Sequence, residues 1–231
     1  MIRSKIAALN ILIILCMVVF VSSVGFAQSS TAPQGDARSF FGSIVGEWIG
    51  TCEQSTDGQK AENKYFHAIV KQVDANTFSS QFEYYRYDES SSRSLRMGDS
   101  TVVTTIGKDG VAQNKITGKG IILVNDQPKN QELEFTETLT SVGADSFNGA
   151  GSGKICVDGM PFGLGKNGKI QSVKSEWSLK NGVLSLDQTI KVGFRALVFT
   201  KTFNVAARYT ARHGSNVASL MTKGTQTVAG L

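Results

Sequence analysis

Three prolines, three cysteines and two histidines in 231 residues leave whole classes of protein without support. So few prolines exclude a polyproline rod, and a charged fraction of only 19% argues against bulk disorder. The histidines, His67 and His213, have no partner at ligand spacing, so no metal motif is present. No helical period of useful length follows residue 45, which speaks against helical bundles and alternating strand–helix folds. No Gly-x-Ser-x-Gly and no ordered Ser, His and Asp set suggests a hydrolase. The glycine-rich stretch Asn148–Ile155 puts Asn where a phosphate loop needs its first Gly, and Ile155 where it needs Ser or Thr. Gly163–Gly168 fails in the same way, and neither stretch precedes a helix. Catalytic residues are therefore not assigned, and an enzyme is not the expected class. The formal net charge is +5, but no block of Lys or Arg stands out, so nucleic acid is not an expected partner.

What is present begins with an export signal over residues 1–27. Arg3 and Lys5 form a basic start, Ile11 to Val21 is unbroken apolar sequence, and Gly25-Phe26-Ala27 offers small residues for cleavage. The wider stretch from Ile6 approaches membrane-spanning length, but Asn10, Ser22 and Ser23 interrupt it. Export to the periplasm or the extracellular space is expected, with no integral membrane segment after cleavage. Loss of Arg3 and Lys5 leaves 22 basic residues against 19 acidic ones, a balance of +3. Residues 28–39 read as a linker, 40–213 as the folded domain and 214–231 as a flexible polar tail. The two remaining cysteines, Cys52 and Cys156, form a possible disulfide in an oxidising compartment. Their strand faces disagree, since Cys52 shares a face with Trp48 whereas Cys156 lies opposite Ile155.

From Ile44 to about His213 the chain alternates apolar and polar residues with period 2. A turn of helix at Phe40–Ile44 leads into ten candidate strands: 44–52, 63–73, 77–87, 94–106, 111–124, 132–139, 147–157, 171–179, 184–192 and 197–209. Their inward residues include Trp48, Phe78, Phe82, Tyr84, Val103, Leu133, Phe135, Leu139, Trp177, Leu197, Phe199, Phe203 and Tyr209. Asp57-Gly58 and Asn181-Gly182 are pairs suited to tight hairpin turns. Short turns and one apolar face per strand predict an all-β, antiparallel up-and-down barrel of nine or ten strands. A β-sandwich is the alternative.

Gly46-Glu47-Trp48 on the first strand, the tight-turn meander and an arginine on the last strand resemble the calycin superfamily. That group contains lipocalins, fatty-acid-binding proteins and nitrobindin-like barrels. The resemblance implies that Trp48 closes the barrel base and that a late arginine, Arg212, packs across its ring as a cation–π pair. It also implies an interior ligand, a small apolar or amphipathic molecule. In the nitrobindin-like branch a histidine near the chain end holds haem, which would make His213 the ligand; otherwise no cofactor is expected. Phe82, Tyr84, Phe135, Trp177 and Phe203 are the expected pocket residues. Glu137 shares their inward face and would fix a polar end of the guest, as a buried charge needs a partner. The rival reading is a structural or interaction barrel whose core is filled. Met160, Phe162 and Leu164, between glycines, would form a lid or a plug at one end.

Overall fold

The computed structural model describes residues 36–58, 62–88, 93–124, 127–161 and 163–221. The expected export signal, most of the linker, Phe162 and the tail beyond Met221 lie outside these residues. Among the described residues a short helix α1 (Ala37–Ser43) precedes ten strands. They are β1 (Gly46–Thr56), β2 (Glu62–Asp74), β3 (Thr77–Asp88), β4 (Arg93–Ile106), β5 (Ala112–Val124), β6 (Gln127–Gly143), β7 (Ser146–Val157), β8 (Asn167–Lys180), β9 (Val183–Arg195) and β10 (Thr200–His213). Every strand pairs antiparallel with its sequence neighbours, and β10 returns to pair with β1, closing an up-and-down barrel.

Local chemistry explains the hairpins. Asn181 and Gly182, at φ 52° and 74°, make the two-residue mirror-image turn whose twist matches the flanking strands, and Asp57 and Gly58, at 49° and 73°, also take positive φ where β1 ends. Alternation then sends one side of each strand inward, as in Gln131, Leu133, Phe135, Glu137 and Leu139 on β6. The outward side carries charge: Glu134 pairs with Lys115 at 3.2 Å and Lys154 at 2.8 Å across three strands. That charged exterior is unlike the lipid-facing apolar band of a transmembrane barrel. Among the described residues no helix is long and apolar enough to cross a membrane.

Helix α1 plugs one end of the barrel. Asp36 caps it by accepting from the Arg38 backbone N–H at 3.1 Å and the Ser39 hydroxyl at 3.0 Å. Phe40 then lies 4.9 Å from Phe147 and Phe41 5.7 Å from Phe78, ring centre to ring centre. The Trp48 Nε1–H donates to the Ile44 carbonyl at 2.8 Å, fixing the exit of the helix onto β1. At the other end the loop after β7 turns Met160 and Leu164 into the core, where both are buried. These two act as a plug, and Ile122, Val157, Ile170, Val192, Phe194 and Val205 fill the interior around them without exposed surface.

Four expectations need correction. Val103 points outward, 38% exposed, and its neighbour Val102 is the core residue, because β4 is shifted by a bulge at Tyr84/Tyr85. Leu197 and Phe199 are not strand residues at all; the hairpin between β9 and β10 turns at 196–199 and leaves them on its tip. The linker ends earlier than residue 39, since Ala37 already starts α1. The segment after β10 does not simply trail away: Val217–Leu220 forms a 3₁₀ turn, and Leu220 and Met221 are buried.

Because α1 contributes two aromatic rings to a core it does not otherwise pair with, its burial is separable from the strand ladder. Phe41→Ala is expected to cost about 3–5 kcal/mol. Urea unfolding followed by far-UV circular dichroism measures this, with the strand spectrum preserved at low urea.

Candidate functional site

The interior is not uniformly apolar. Glu137 on β6 is 1% exposed, and polar side chains from three other strands surround it. Asn114 (β5) donates through Nδ2 to Glu137 Oε2 at 3.2 Å, and Gln188 (β9) through Nε2 to Oε1 at 3.3 Å. The Ser175 hydroxyl (β8) donates to Oε1 at short range. Behind these stand two further donors, Thr104 to Asn114 Oδ1 at 2.8 Å and Trp177 Nε1 to Ser175 Oγ at 3.2 Å. Gln188 Oε1, fully buried, meets no protein donor among the described residues.

Glycine makes room for this cluster. A side chain at Gly149 would occupy the positions of Ser175 Oγ and Glu137 Oε1, and at Gly151 and Gly153 it would strike the backbone of β6. The three glycines therefore serve close approach of β7 to β6 and space for Glu137. Burial pushes the Glu137 carboxyl up from its ordinary range, against hydrogen bonds from Ser175 and Asn114 that favour the ionised form.

Beside the cluster lies a void of about 70 Å³. Aromatic rings dominate its wall: Phe66, Phe82, Tyr84, Phe135, Trp177 and Tyr209. Phe82 and Tyr84 stand parallel, 6.2 Å apart and 8° from coplanar, and the Tyr84 hydroxyl lies 3.1 Å from Ser100 Oγ. Phe82, Leu184 and Leu186 face the void, yet the protein covers them only in part. Between β4 and β5 the inner wall is made of small residues, Ser100 opposite Gly118 and Gly98 opposite Gly120. There Asp99, Gly118, Lys119 and Leu133 border both the void and a groove on the outer surface.

Five of the six expected pocket residues, Phe82, Tyr84, Phe135, Glu137 and Trp177, thus meet around one space. Phe203 does not join them. It belongs to the packed half of the barrel, edge-on to Phe194 at 6.0 Å, with the Lys201 ammonium 5.5 Å above its ring. Arg212 is also displaced from its expected role. In the β1–β10 register Trp48 stands opposite His213, whose ring lies 3.9 Å away at 32°, while Arg212 pairs with Ile49 and points outward. Gly46, at φ 135°, leaves space for that imidazole, only 3.3 Å from where its side chain would begin. His213 does not line the void, and a space of this size does not fit haem. His67 sits on the outer face, 3.3 Å from Glu47 Oε2. Cys52 and Cys156 are not joined: Cys52 points into the core and Cys156 outward between Ile155 and Val157, so the barrel wall separates them.

Sequence reasoning found Glu137 but missed Asn114, Ser175 and Gln188. Each is a polar residue at a position where its strand neighbours two away are apolar, as Gln188 is between Leu186 and Ile190.

The raised carboxyl has a stability consequence. The folded state binds the Glu137 proton more tightly than the unfolded chain, so its contribution is complete below the ordinary carboxyl value of about 4.3 and declines as pH rises toward the folded value. Glu137→Gln is expected to flatten that decline. Urea unfolding free energies of both proteins between about pH 4 and pH 8 test it.

No family model and no curated protein matches this chain. Among solved structures, Rv2717c from M. tuberculosis is similar at 11% identity, covering 74% of this chain and 93% of that one, with a TM-score of 0.46. The S-type phycobiliprotein lyase CPES from Guillardia theta is similar at 11% identity, covering 78% of this chain and 94% of that one, with a TM-score of 0.40. At such values the likeness concerns the course of the chain and carries nothing about its site.

Proposed function

We propose that this barrel, read as an exported, calycin-like protein, holds a small and largely apolar molecule in the void beside Glu137. The observation that carries the reading is the incompletely covered apolar surface of Phe82, Leu184 and Leu186 inside the barrel, next to a buried carboxylate. Apolar surface left open in an interior gains free energy when a guest covers it, by about 25 cal/mol per Å². Glu137 already accepts from three side chains and favours a guest that brings a further donor, a hydroxyl or an amine, rather than an acid. Gln188 Oε1 adds a second acceptor to the same cluster. The size of the space selects a compact guest. A cavity of about 150 Å³ takes a benzene ring, so a guest of that size or larger requires the surrounding rings to move. The chemistry proposed is binding.

A second reading has its own support. A void of 70 Å³ with a plug at both ends also suits a filled barrel that serves as a structural or interaction module.

Native mass spectrometry of the full chain purified from its own source, together with calorimetric titration by a compact amine, n-butylamine, separates the two. Under the binding reading a guest co-purifies or the probe binds at one site, and Ser80→Leu, which fills the void from β3, weakens binding by more than about tenfold without lowering the urea midpoint. Glu137→Gln weakens an amine or alcohol by about tenfold and a hydrocarbon little. Absence of any guest and of saturable probe binding would establish the filled barrel instead.

A further inference from the structure

The hairpin joining β9 and β10 differs from tight turns such as Ala75-Asn76, Ala144-Asp145 and Asn181-Gly182, which are small and polar, and from the plug loop, whose Met160 and Leu164 are buried. Its tip is Ala196-Leu197-Val198-Phe199, closed by the Ala196 N–H donating to the Phe199 carbonyl at 2.8 Å. Leu197 is 98% exposed, Val198 91% and Phe199 51%. Three consecutive large apolar residues in water are a standing cost that a fold does not require at a turn.

The charge around the tip is of one sign. Arg195 and Lys201 flank it, Lys191 lies four residues before Arg195 on the same face of β9, and Lys169 on β8 stands opposite Gly193. Gly165 donates to the Arg195 carbonyl at 2.9 Å, which brings Lys166 beside the hairpin. All five cations are exposed, and none forms an ion pair among the described residues. Residues 159–175 and 188–231 contain no Asp or Glu. The carboxylates nearest along the packed elements are Asp158, at the start of the plug loop, and Asp57, which accepts from the Asn204 N–H at 2.7 Å.

We propose that this hairpin is a membrane-docking wedge, with Leu197, Val198 and Phe199 entering the headgroup–acyl boundary of an anionic bilayer. Arg195, Lys201 and the lysines of β8, β9 and the plug loop hold the phosphate headgroups around it. A convex apolar tip inside a cationic collar is what an interfacial anchor needs, the apolar part for depth and the collar for the negative surface. A protein partner fits less well. Three side chains supply a small part of the roughly 800 Å² that each member of a stable complex buries. Each cation near such a surface strengthens attachment by about fivefold at moderate salt. The barrel itself stays outside the bilayer, with its ion-paired outer face in water.

The test uses the full chain with a tryptophan reporter, Val198→Trp, and vesicles of phosphatidylserine and phosphatidylcholine, some with brominated acyl chains. Trp48 and Trp177 are buried and give a constant background. The tip tryptophan is expected to shift to the blue and to be quenched by bromine in anionic vesicles. A reporter at Val142→Trp, exposed at the opposite end of the barrel, is expected to do neither. Arg195→Glu with Lys201→Glu, or about 0.5 M salt, should weaken the tip signal by more than about tenfold. Replacing Leu197 and Phe199 by Ser in the reporter protein should do the same with circular dichroism unchanged. A tip tryptophan that stays in water while the chain sediments with vesicles overturns the proposal, as does equal quenching at both reporters. Tip variants that abolish self-association instead, with no vesicle signal, also overturn it and assign the hairpin to a contact between proteins.

Discussion

The pairing of β1 with β10 is the constraint on which the rest of this protein depends. Nine hairpins in sequence order make a sheet with two open edges and one apolar face, and such a sheet neither hides its core nor resists adding another strand. Setting Trp48 opposite His213 and Thr56 opposite Val205 removes both edges at once. The seam is reinforced from inside by Trp48, which ties β1 to α1 through the Ile44 carbonyl and receives the His213 ring on its face. His213 thus works as a cap on the tryptophan, in the room that Gly46 leaves for its ring.

Closure has a chemical price inside. Once the sheet wraps round, any polar residue on the inner parity must find partners within the lumen, since water no longer reaches it. Glu137 shows how this is met: Asn114, Ser175 and Gln188 approach from β5, β8 and β9, and Gly149 gives up its side chain to let them converge. Lys64, also inward and 1% exposed, is handled in the same manner, its ammonium donating to Gln54 Oε1 at 2.5 Å. These groups favour one register for the strands that carry them, because a slip by one residue would send each to the other face and separate it from its partners.

The two ends of the barrel then differ in kind. One is sealed by α1 and lies nearest the aromatic void; the other is packed solid by Met160 and Leu164 and carries the apolar, cationic hairpin. The division separates interior binding from attachment at a surface, so the two proposed roles make no conflicting demands on the same side chains.

Much of this was legible from the residues alone. Alternation with period 2, Asp-Gly and Asn-Gly turns, and the inward parity of Phe82, Tyr84, Phe135, Glu137 and Trp177 follow from local geometry, which acts between residues close in the chain. The opposed faces of Cys52 and Cys156 were visible in the same way. What depended on the tertiary structure was everything set by which strands meet. That His213, not Arg212, reaches Trp48 is a matter of the β1–β10 register, fixed by pairing across more than a hundred residues. That Asn114, Ser175 and Gln188 surround one carboxylate, that Phe203 belongs to the packed half, and that dispersed lysines gather round one hairpin are facts of juxtaposition. Period and composition along a chain decide which way a side chain points; only closure of the sheet decides what it finds there.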